Sequence, residues 1–241
     1  MIAPVRRIHV KKLEIGEVRL DVAEAHHARD VLRLADRSPV EVFDDEGRQA
    51  PALLIHDGMN GAAVSVTQII EKQSAAEWTI AAAVPKGERA DWMVEKLSEL
   101  GASAFIPLAA ERSVVLPQGS NKMDRWKRIA IESAKQSRRA MPMRIEPLIS
   151  VDQLVVNRMG INQSSAGWYL STEPSATPVL QLLMPPPERV LAMIGPEGGW
   201  TDGEIQAFKN AGFVAVKLTT TILRVETAAI AVAALIGSSQ H

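Results

Sequence analysis

The chain of 241 residues contains no cysteine, which excludes disulfides, thiolate metal sites and cysteine nucleophiles. Aromatic residues make up only 4%, so an extended surface for stacking nucleic-acid bases is difficult to build. Neither sign of charge dominates, because 27 Lys and Arg oppose 28 Asp and Glu for a formal charge of −1. This balance argues against a protein coated in basic charge, such as a histone-like nucleic-acid binder.

Long hydrophobic runs are also missing from the sequence. The longest, residues 228–236, is nine residues, about half of the roughly 20 that a membrane-spanning helix needs. Residues 1–7 lack the apolar stretch of a signal peptide. With 46% hydrophobic and 23% charged residues, the composition is that of a packed globular protein, which we expect to be soluble and cytoplasmic.

The first part of the chain, residues 1–72, has a β-rich texture. Short strand-like runs occur at 6–10, 40–43, 51–55 and 62–70, with one helical stretch at 24–32. The run Asp44-Asp45-Glu46-Gly47 between two of these strands predicts a hairpin loop. Several short strands in about 70 residues predict a small barrel or sandwich. Residues 73–77 are small and polar, and we interpret them as a linker.

From residue 78 to residue 241, strand-like and helical runs alternate. Strands are expected at 79–84, 104–108, 167–171, 189–194 and 213–218, and helices at 89–100, 122–139, 202–211 and 225–235. Helices of this length between strands imply crossover connections. The sequence therefore predicts an α/β domain with a mostly parallel sheet.

The near-neutral total hides an uneven charge distribution. Residues 1–12 carry four basic side chains and no acid, and residues 122–144 carry eight basic and two acidic side chains, so the other 206 residues sum to −11. At helical spacing Arg125, Arg128, Lys135 and Arg139 share one face, opposite an apolar face that we expect to pack inward. A solvated helix face is the plainer interpretation, but basic stripes also follow phosphate backbones.

A glycine-rich segment, GPEGGWT at residues 195–201, follows a predicted strand and precedes a predicted helix. Such turns at the carboxyl ends of parallel strands are where open α/β sheets bind ligands. The segment matches neither a P-loop nor the G-x-G-x-x-G pattern, and its acid, Glu197, suits a cationic or hydroxyl-bearing ligand. A tight turn with Thr201 or Asp202 capping the helix remains the plainer alternative.

A second segment, residues 218–228, again connects a strand to a helix. It carries Arg224 and Glu226 immediately before the run from Ala228 to Ile236, which is apolar on every side. Such a helix must be buried in a core or in a subunit interface.

Together these two segments resemble the paired signature of the RsmE family, the 16S ribosomal RNA uracil-N3 methyltransferases of the SPOUT superfamily. The matching segments are GPEGGWT at 195–201 with Glu204, and ILRVETA at 222–228. The resemblance continues in KG at 86–87, KLSELG at 96–101, ESAKQSRR at 132–139 with Pro142, HH at 26–27, VLR at 31–33 and FD at 43–44. The sequence departs from the family at Thr219-Thr220-Thr221, where a glycine is usual early in the loop.

The resemblance implies an N-terminal PUA-like RNA-binding barrel and a C-terminal SPOUT α/β domain with a deep trefoil knot. It also implies S-adenosylmethionine as cofactor, a homodimer, and 16S rRNA or the small ribosomal subunit as partner. The cofactor residues that it implies are Gly195, Pro196, Glu197, Gly198 and Gly199 from the first loop, and Leu218, Ile222 and Leu223 from the second.

The chemistry that the resemblance implies needs few ionisable groups. The sulfonium leaves as a neutral thioether, so no metal and no acid for the leaving group are required, and alignment contributes much of the rate. Uracil N3 is a weak nucleophile that carries a proton, so Arg224 is expected to stabilise charge on the base. Glu226 is a second catalytic candidate, although a first-turn acid favoured by the helix dipole explains it equally well. Arg6 and Arg7 are expected to grip RNA.

Two alternatives remain open from the sequence. One is a ribose 2′-O-methyltransferase, because the same knotted domain hosts both reactions. The other is a non-catalytic RNA-binding assembly factor, which the triple threonine would favour. No metal is expected, because adjacent helical residues such as His26 and His27 point about 100° apart and no third ligand is evident.

Overall fold

The computed structural model describes residues 5–58, 61–71, 77–117, 119–160 and 165–239. The chain divides into two compact units, residues 1–74 with 134–142, and residues 75–133 with 143–241. Residues 134–142, which the sequence places in the second domain, thus group with the first unit. Of the expected linker, residues 73–76 lie outside the described residues.

The first unit contains a six-stranded, mainly antiparallel sheet. Its strands are β1 (Arg6–His9), β2 (Gly16–Arg19), β3 (Pro39–Phe43), β4 (Arg48–His56), β5 (Ala62–Val66) and β6 (Ile70–Glu71). They pair in the order β1-β3-β4-β5-β2, with β6 also on β4, and among the described residues only β1 and β3 run parallel. Alternate residues such as Val40, Val42 and Leu54 are buried in its core, as the period of a half-buried strand requires.

Turn chemistry shapes the connections of this sheet. Gly47 adopts φ 82° between β3 and β4, which confirms the predicted hairpin loop. The buried Asp44 carboxylate accepts hydrogen bonds from the backbone N–H groups of Leu13, Glu46 and Arg48. The predicted helix at 24–32 is α1 (Val22–His26), capped by Asp21 and continued by a π-helical turn (His27–Val31).

The second unit contains an eight-stranded sheet in which every pairing is parallel, as predicted. The strands are β7 (Glu77–Ala83), β8 (Ala104–Ala109), β9 (Arg144–Ile145), β10 (Ile149–Ser150), β11 (Ala166–Leu170), β12 (Thr177–Pro178), β13 (Arg189–Ile194) and β14 (Val214–Lys217). They pair in the order β10-β8-β7-β13-β11-β14-β12, with β9 also on β8. This order places β11 between β13 and β14.

Among the described residues of this unit, five helices connect these strands and a sixth follows the last strand. They are α2 (Arg89–Glu99), α3 (Ser120–Ser137), α4 (Val151–Gly160), α5 (Val179–Leu182), α6 (Asp202–Asn210) and α7 (Val225–Ser239). Helices α4 and α5 and the short strands β2, β9, β10 and β12 were not predicted, because their apolar runs are short. No helix in the described ranges is long and apolar enough to cross a membrane.

The core of the second unit confirms which faces pack inward. On α3, Trp126 and Ala130 are fully buried, and the Trp126 Nε1–H donates to Asp91 Oδ1 at 2.8 Å. On α7, Ala229, Val232 and Ile236 are buried in the same cluster, as an all-apolar helix requires.

Candidate functional site

Three loops at the carboxyl edge of the parallel sheet surround a cavity of about 480 Å³. They follow β11, β13 and β14, which are neighbours in the sheet, so their ends meet at one edge. This is the position at which open α/β sheets bind ligands. The lining residues include Leu170–Glu173, Gly195–Trp200 and Leu218 with Thr219 and Thr221–Val225.

All eight cofactor-site residues predicted from the sequence line this one cavity. They are Gly195, Pro196, Glu197, Gly198, Gly199, Leu218, Ile222 and Leu223. Arg224 lines it as well. The two sequence segments therefore form parts of a single site.

Glycine is required at two positions of the first loop, for a different reason at each. A Cβ on Gly195 would lie 2.8 Å from Cε2 of Trp200, closer than side chains tolerate. Gly199 adopts φ +71°, the left-handed region that glycine enters without strain. At both positions the loop therefore lines the cavity with backbone and without a side chain.

Neighbouring side chains hold the first loop from outside. The Trp200 Nε1–H donates to the Leu170 carbonyl at 2.9 Å, which ties this loop to the end of β11. The Arg112 guanidinium donates to the Gly198 carbonyl at 2.9 Å. These two contacts anchor the carboxyl end of the loop.

A capping box begins α6 directly after this loop. Thr201 accepts a hydrogen bond from the Glu204 N–H, and Glu204 accepts one from the Thr201 N–H at 2.8 Å. The buried Glu204 also accepts from the Glu111 N–H at 2.9 Å. Glu204, which matches the family signature, therefore stabilises the loop ends and does not face the cavity.

The unusual threonines of the second loop form their own turn. The Thr219 hydroxyl donates to the Thr221 carbonyl at 2.8 Å, and the Thr221 N–H donates to Thr219 Oγ1 at 3.1 Å. Hydroxyl groups that bond to nearby backbone in this way stabilise turns. A local hydroxyl contact therefore shapes the segment that usually contains glycine in the family.

The two predicted catalytic residues have different surroundings. Arg224 is exposed and lines the cavity. Glu226 is only 4% exposed and does not line the cavity, and its Oε1 accepts from Arg89 Nη1 at 3.1 Å. The bond to Glu226 is the main reason why the pKa of Arg89 is raised. The structure therefore brings Arg224, but not Glu226, to the cavity.

The third loop, Leu170–Glu173, was not predicted to contribute. Its Glu173 adds a second carboxylate to the lining, beside Glu197 of the first loop. A usable signal was present, because the polar run Ser171-Thr172-Glu173 follows an apolar strand directly. The order of the strands, which places β11 between the other two, is not visible in the sequence.

The two arginines expected to grip RNA at the N-terminus differ in exposure. Arg6 is exposed, whereas Arg7 is 6% exposed and forms an ion pair with Glu41 at 2.8 Å. Arg7 also donates to the carbonyls of Ala134 and Arg139, and its guanidinium lies 4.2 Å from the centre of the Phe43 ring. Burial lowers the pKa of Arg7. The charge of Arg7 is therefore compensated by groups inside the first unit.

The four basic residues that were predicted to share one helix face, Arg125, Arg128, Lys135 and Arg139, have different surroundings in the structure. Helix α3 ends at Ser137 because Arg138 adopts the left-handed φ of 57°, so Arg139 is not on the helix. Burial lowers the pKa of Arg139 to about 10. Lys135 forms an ion pair with Glu24, in which both side chains are largely buried. Only Arg125 and Arg128 of the predicted four are exposed.

The histidine pair at 26–27 shows no metal geometry. His26 Nδ1 lies 2.6 Å from Asp30 Oδ2, one helical turn away. Among the residues that the structure describes, no three histidine or carboxylate side chains converge on a point suited to a metal ion.

Comparison with known proteins places this geometry in a family. A family model described as an RNA methyltransferase domain matches residues 72–237. Ribosomal RNA small subunit methyltransferase E of Bacillus subtilis is 31% identical over 85% of this chain and 83% of its own length. The protein of the same name from Synechocystis is 32% identical over 88% of this chain and 69% of its own length.

Solved structures agree with these matches. Ribosomal RNA small subunit methyltransferase E from Neisseria gonorrhoeae, bound to S-adenosylmethionine, is 27% identical with a TM-score of 0.85, covering 97% of each chain. A structure from Legionella pneumophila, 24% identical, shows the same fold with a TM-score of 0.86 over 98% of each chain. The chain therefore belongs to the ribosomal RNA small subunit methyltransferase E (RsmE) family.

Proposed function

We propose that this protein transfers a methyl group from S-adenosylmethionine to N3 of a specific uridine in the 16S RNA of the small ribosomal subunit. The observation that carries this proposal is the cavity at the sheet edge, which gathers all eight residues expected to hold the cofactor. The family supports it, because a relative in the same family was solved with S-adenosylmethionine bound.

The residues present fit this cofactor. The cavity of about 480 Å³ lies within the range of about 300–1,000 Å³ typical of small-molecule sites. The bare backbone at Gly199, where an added Cβ would meet no atom within 4 Å, can approach an adenosine closely. Leu218, Ile222 and Leu223 supply apolar lining, and the carboxylates of Glu173 and Glu197 complement a molecule with sulfonium and ammonium charges and ribose hydroxyls.

The bound cofactor supplies an electrophilic methyl group whose departure leaves a neutral thioether. The protein must orient uracil N3 toward that methyl carbon and stabilise the negative charge that develops on the base. Arg224 suits the second task, because it lines the cavity and no partner for its guanidinium is found among the described residues. We therefore propose Arg224 as a catalytic residue.

Glu226 suits a positioning role better than that of a base. Its carboxylate is buried and paired with Arg89 at the start of α7, and it does not face the cavity. A base must come within hydrogen-bond reach of the proton that it removes. We propose that Glu226 fixes the end of the second loop, next to Arg224.

The exposed arginines are the candidates for binding RNA. Arg6 of the first unit and Arg125 and Arg128 of the second are exposed. Arg125 forms an ion pair with Asp91 at 2.7 Å, whereas no ion pair of Arg128 is found in the described residues. Phosphate contacts of this kind contribute affinity without sequence preference. Arg7, Lys135 and Arg139 form the internal contacts described above, and we give them a supporting role.

We further propose the domain plan that the family resemblance implies. Residues 1–72 form a PUA-like RNA-binding barrel, residues 73–77 a linker, and residues 78–241 a SPOUT domain with a deep trefoil knot and a homodimer interface. The all-parallel sheet, with β11 between β13 and β14, supports the second assignment. The proposed substrate, RNA of the small ribosomal subunit, implies a cytoplasmic protein.

Nucleoside analysis tests the proposed function. Small subunits from a strain that lacks this protein are incubated with the pure protein and S-adenosylmethionine, and the 16S RNA is then digested and examined by mass spectrometry. We expect one equivalent of 3-methyluridine per subunit. A 2′-O-methylated nucleoside would show the ribose reaction instead. The absence of both methylation and calorimetric binding of S-adenosylmethionine would indicate the non-catalytic assembly factor.

A further inference from the structure

A second, smaller cavity adjoins the first within the same unit. It measures about 60 Å³ and shares Pro196, Glu197 and Val225 with the larger one. These three residues belong to two of the three loops that surround the larger cavity, so these two loops form a wall of both cavities. A molecule in the small cavity would lie next to the contents of the large one.

The small cavity combines apolar walls with few polar groups. Val84 and Pro85, which directly follow β7, and Val114 and Val115 of the loop after β8 supply apolar surface. Val114 is 74% exposed, so its side chain is accessible from solvent. The Ser113 hydroxyl already accepts a hydrogen bond from the Ala110 N–H at 3.0 Å. Lys86 supplies the cation in the lining.

The charge of Lys86 is available to a ligand. Lys86 is exposed, and the part of the chain that the structure describes offers its ammonium no hydrogen bond or ion pair. The Glu197 side chain in the shared wall is turned toward Arg89, with Glu197 Oε1 3.4 Å from Arg89 Nη1. An unpaired lysine beside apolar walls fits a flat ring with polar edges, such as a nucleobase.

We propose that this second cavity receives the pyrimidine ring of the target uridine and that Lys86 contacts a ring carbonyl oxygen during methyl transfer. The proposal rests on the methylation of uracil N3 proposed above. A single uridine must leave its RNA stack to reach such a site, and apolar surface then replaces the stacking that it loses. Lys86 and Arg224 would act on the base together.

The chemistry explains why a cation is needed at that place. N3 loses its proton to water at the open mouth, its electron pair forms the bond to the methyl carbon, and the carbon–sulfur bond breaks with its pair remaining on sulfur. Before the new bond is complete, negative charge spreads from N3 onto the two flanking carbonyl oxygens. A preplaced ammonium lowers the free energy of this state more than that of the neutral base.

The experiment compares K86M and K86R with K209M, a control at an exposed lysine of α6 outside both cavities. Methyl transfer to unmodified small subunits is measured at saturating S-adenosylmethionine, and cofactor affinity is measured by calorimetry. We expect K86M to lower kcat by about 10²-fold, as loss of one charge-stabilising donor does, with cofactor affinity unchanged. K86R is expected to recover part of the rate, and K209M to match the unchanged protein.

A substrate with a more acidic N3 gives a readout that a purely structural role would not affect. In reconstituted subunits that carry 5-fluorouridine, the anion needs less stabilisation, so the K86M defect should shrink severalfold.

A K86M enzyme with unchanged kcat would overturn the proposal while leaving the proposed function intact, and so would a loss of cofactor affinity in K86M. An unchanged K86M defect on the fluorinated substrate would also overturn it. Failure of the unsubstituted protein to form 3-methyluridine would instead contradict the proposed function.

Discussion

Arg89, the first residue of α2, places one guanidinium nitrogen 3.1 Å from Glu226 Oε1 and 3.4 Å from Glu197 Oε1. It thereby contacts a residue of the first cavity loop and the residue that follows the second. The other oxygen of Glu226, Oε2, is buried without a hydrogen-bond partner within the described residues. Arg89 is therefore the charge that stabilises a buried carboxylate next to the proposed catalytic arginine.

Replacement of Arg89 by Met should lower both the thermal midpoint and the affinity for S-adenosylmethionine. The reason is that the buried Glu226 carboxylate would lose its cation, which costs more than the same loss at an exposed group. Adding E226Q to R89M should recover part of the midpoint, because the uncompensated charge is then removed. E197Q is the control and should have a smaller effect on the midpoint, since the Glu197 side chain is 66% exposed. Scanning calorimetry measures all four proteins, and an R89M midpoint equal to that of E197Q would contradict the argument.

Gly195→Ala should weaken cofactor binding by about 5- to 150-fold, since moving Trp200 or the loop costs on the order of 1–3 kcal/mol, as overpacking does. The added Cβ would lie 2.8 Å from Trp200, whose indole N–H holds the neighbouring loop. Gly203→Ala in α6 is the matched control, because the nearest atom to the added Cβ is the Thr201 hydroxyl oxygen, 3.9 Å away. That substitution should leave affinity unchanged and stabilise the helix by about 0.5–1 kcal/mol. Isothermal calorimetry and urea unfolding separate the two effects.

Arg224→Ala should slow methyl transfer strongly while it leaves cofactor affinity within a few-fold of its original value. The expected fall in kcat is about 10²–10³-fold, as when one preorganised donor to a developing negative charge is removed. Arg189→Ala, at an exposed arginine paired with Glu77 outside the cavity, should have no effect on kcat. Retained transfer in the Arg224 variant would remove this residue from the mechanism.

Arg6 and Arg7 are adjacent in sequence, yet their replacement by Ala should have different effects on the free energy of unfolding. Arg7→Ala removes a buried ion pair and two hydrogen bonds to carbonyls, so we expect a loss of about 2–4 kcal/mol in the free energy of unfolding. Arg6→Ala should leave that free energy unchanged, because the side chain is exposed. Denaturant unfolding distinguishes them, and equal losses for both would contradict the burial of Arg7.

Arg128→Ala should weaken RNA binding and lower the slope of log affinity against log salt by about 1. This follows if the exposed guanidinium neutralises one phosphate and releases one counterion. Lys209→Ala, an exposed cation on α6, serves as the control. Filter binding at several salt concentrations measures the slopes, and an unchanged slope for Arg128→Ala would exclude this contact.

The sequence predicted best where a local pattern determines the structure. The alternation of strand and helix predicted the parallel sheet, and the glycine segment predicted the loop before α6, because glycine and capping residues act within a few positions. The cavity residues were found by family resemblance, and they meet because β13 and β14 flank β11. The role of Leu170–Glu173 was missed, since the order of strands depends on contacts between distant segments.

Burial of charge was the part that the sequence could not resolve. Arg6 and Arg7, like Arg128 and Arg139, look equivalent in a count of basic residues. Arg7 is buried because Glu41 and two carbonyls compensate its charge, and Arg139 leaves the helical register because α3 ends at Ser137. Such compensation depends on residues up to 132 positions away in the chain.

The position of Trp200 also gives the site an optical signal. Of the five tryptophans, Trp78, Trp126 and Trp168 are buried in the core, Trp92 is on α2, and Trp200 alone lines the 480 Å³ cavity. Its indole is hydrogen-bonded to the Leu170 carbonyl, so a ligand entering the cavity changes the surroundings of an already fixed fluorophore. Cofactor binding can therefore be followed by the intrinsic emission of the unlabelled protein, with Trp200→Phe as the silent reference.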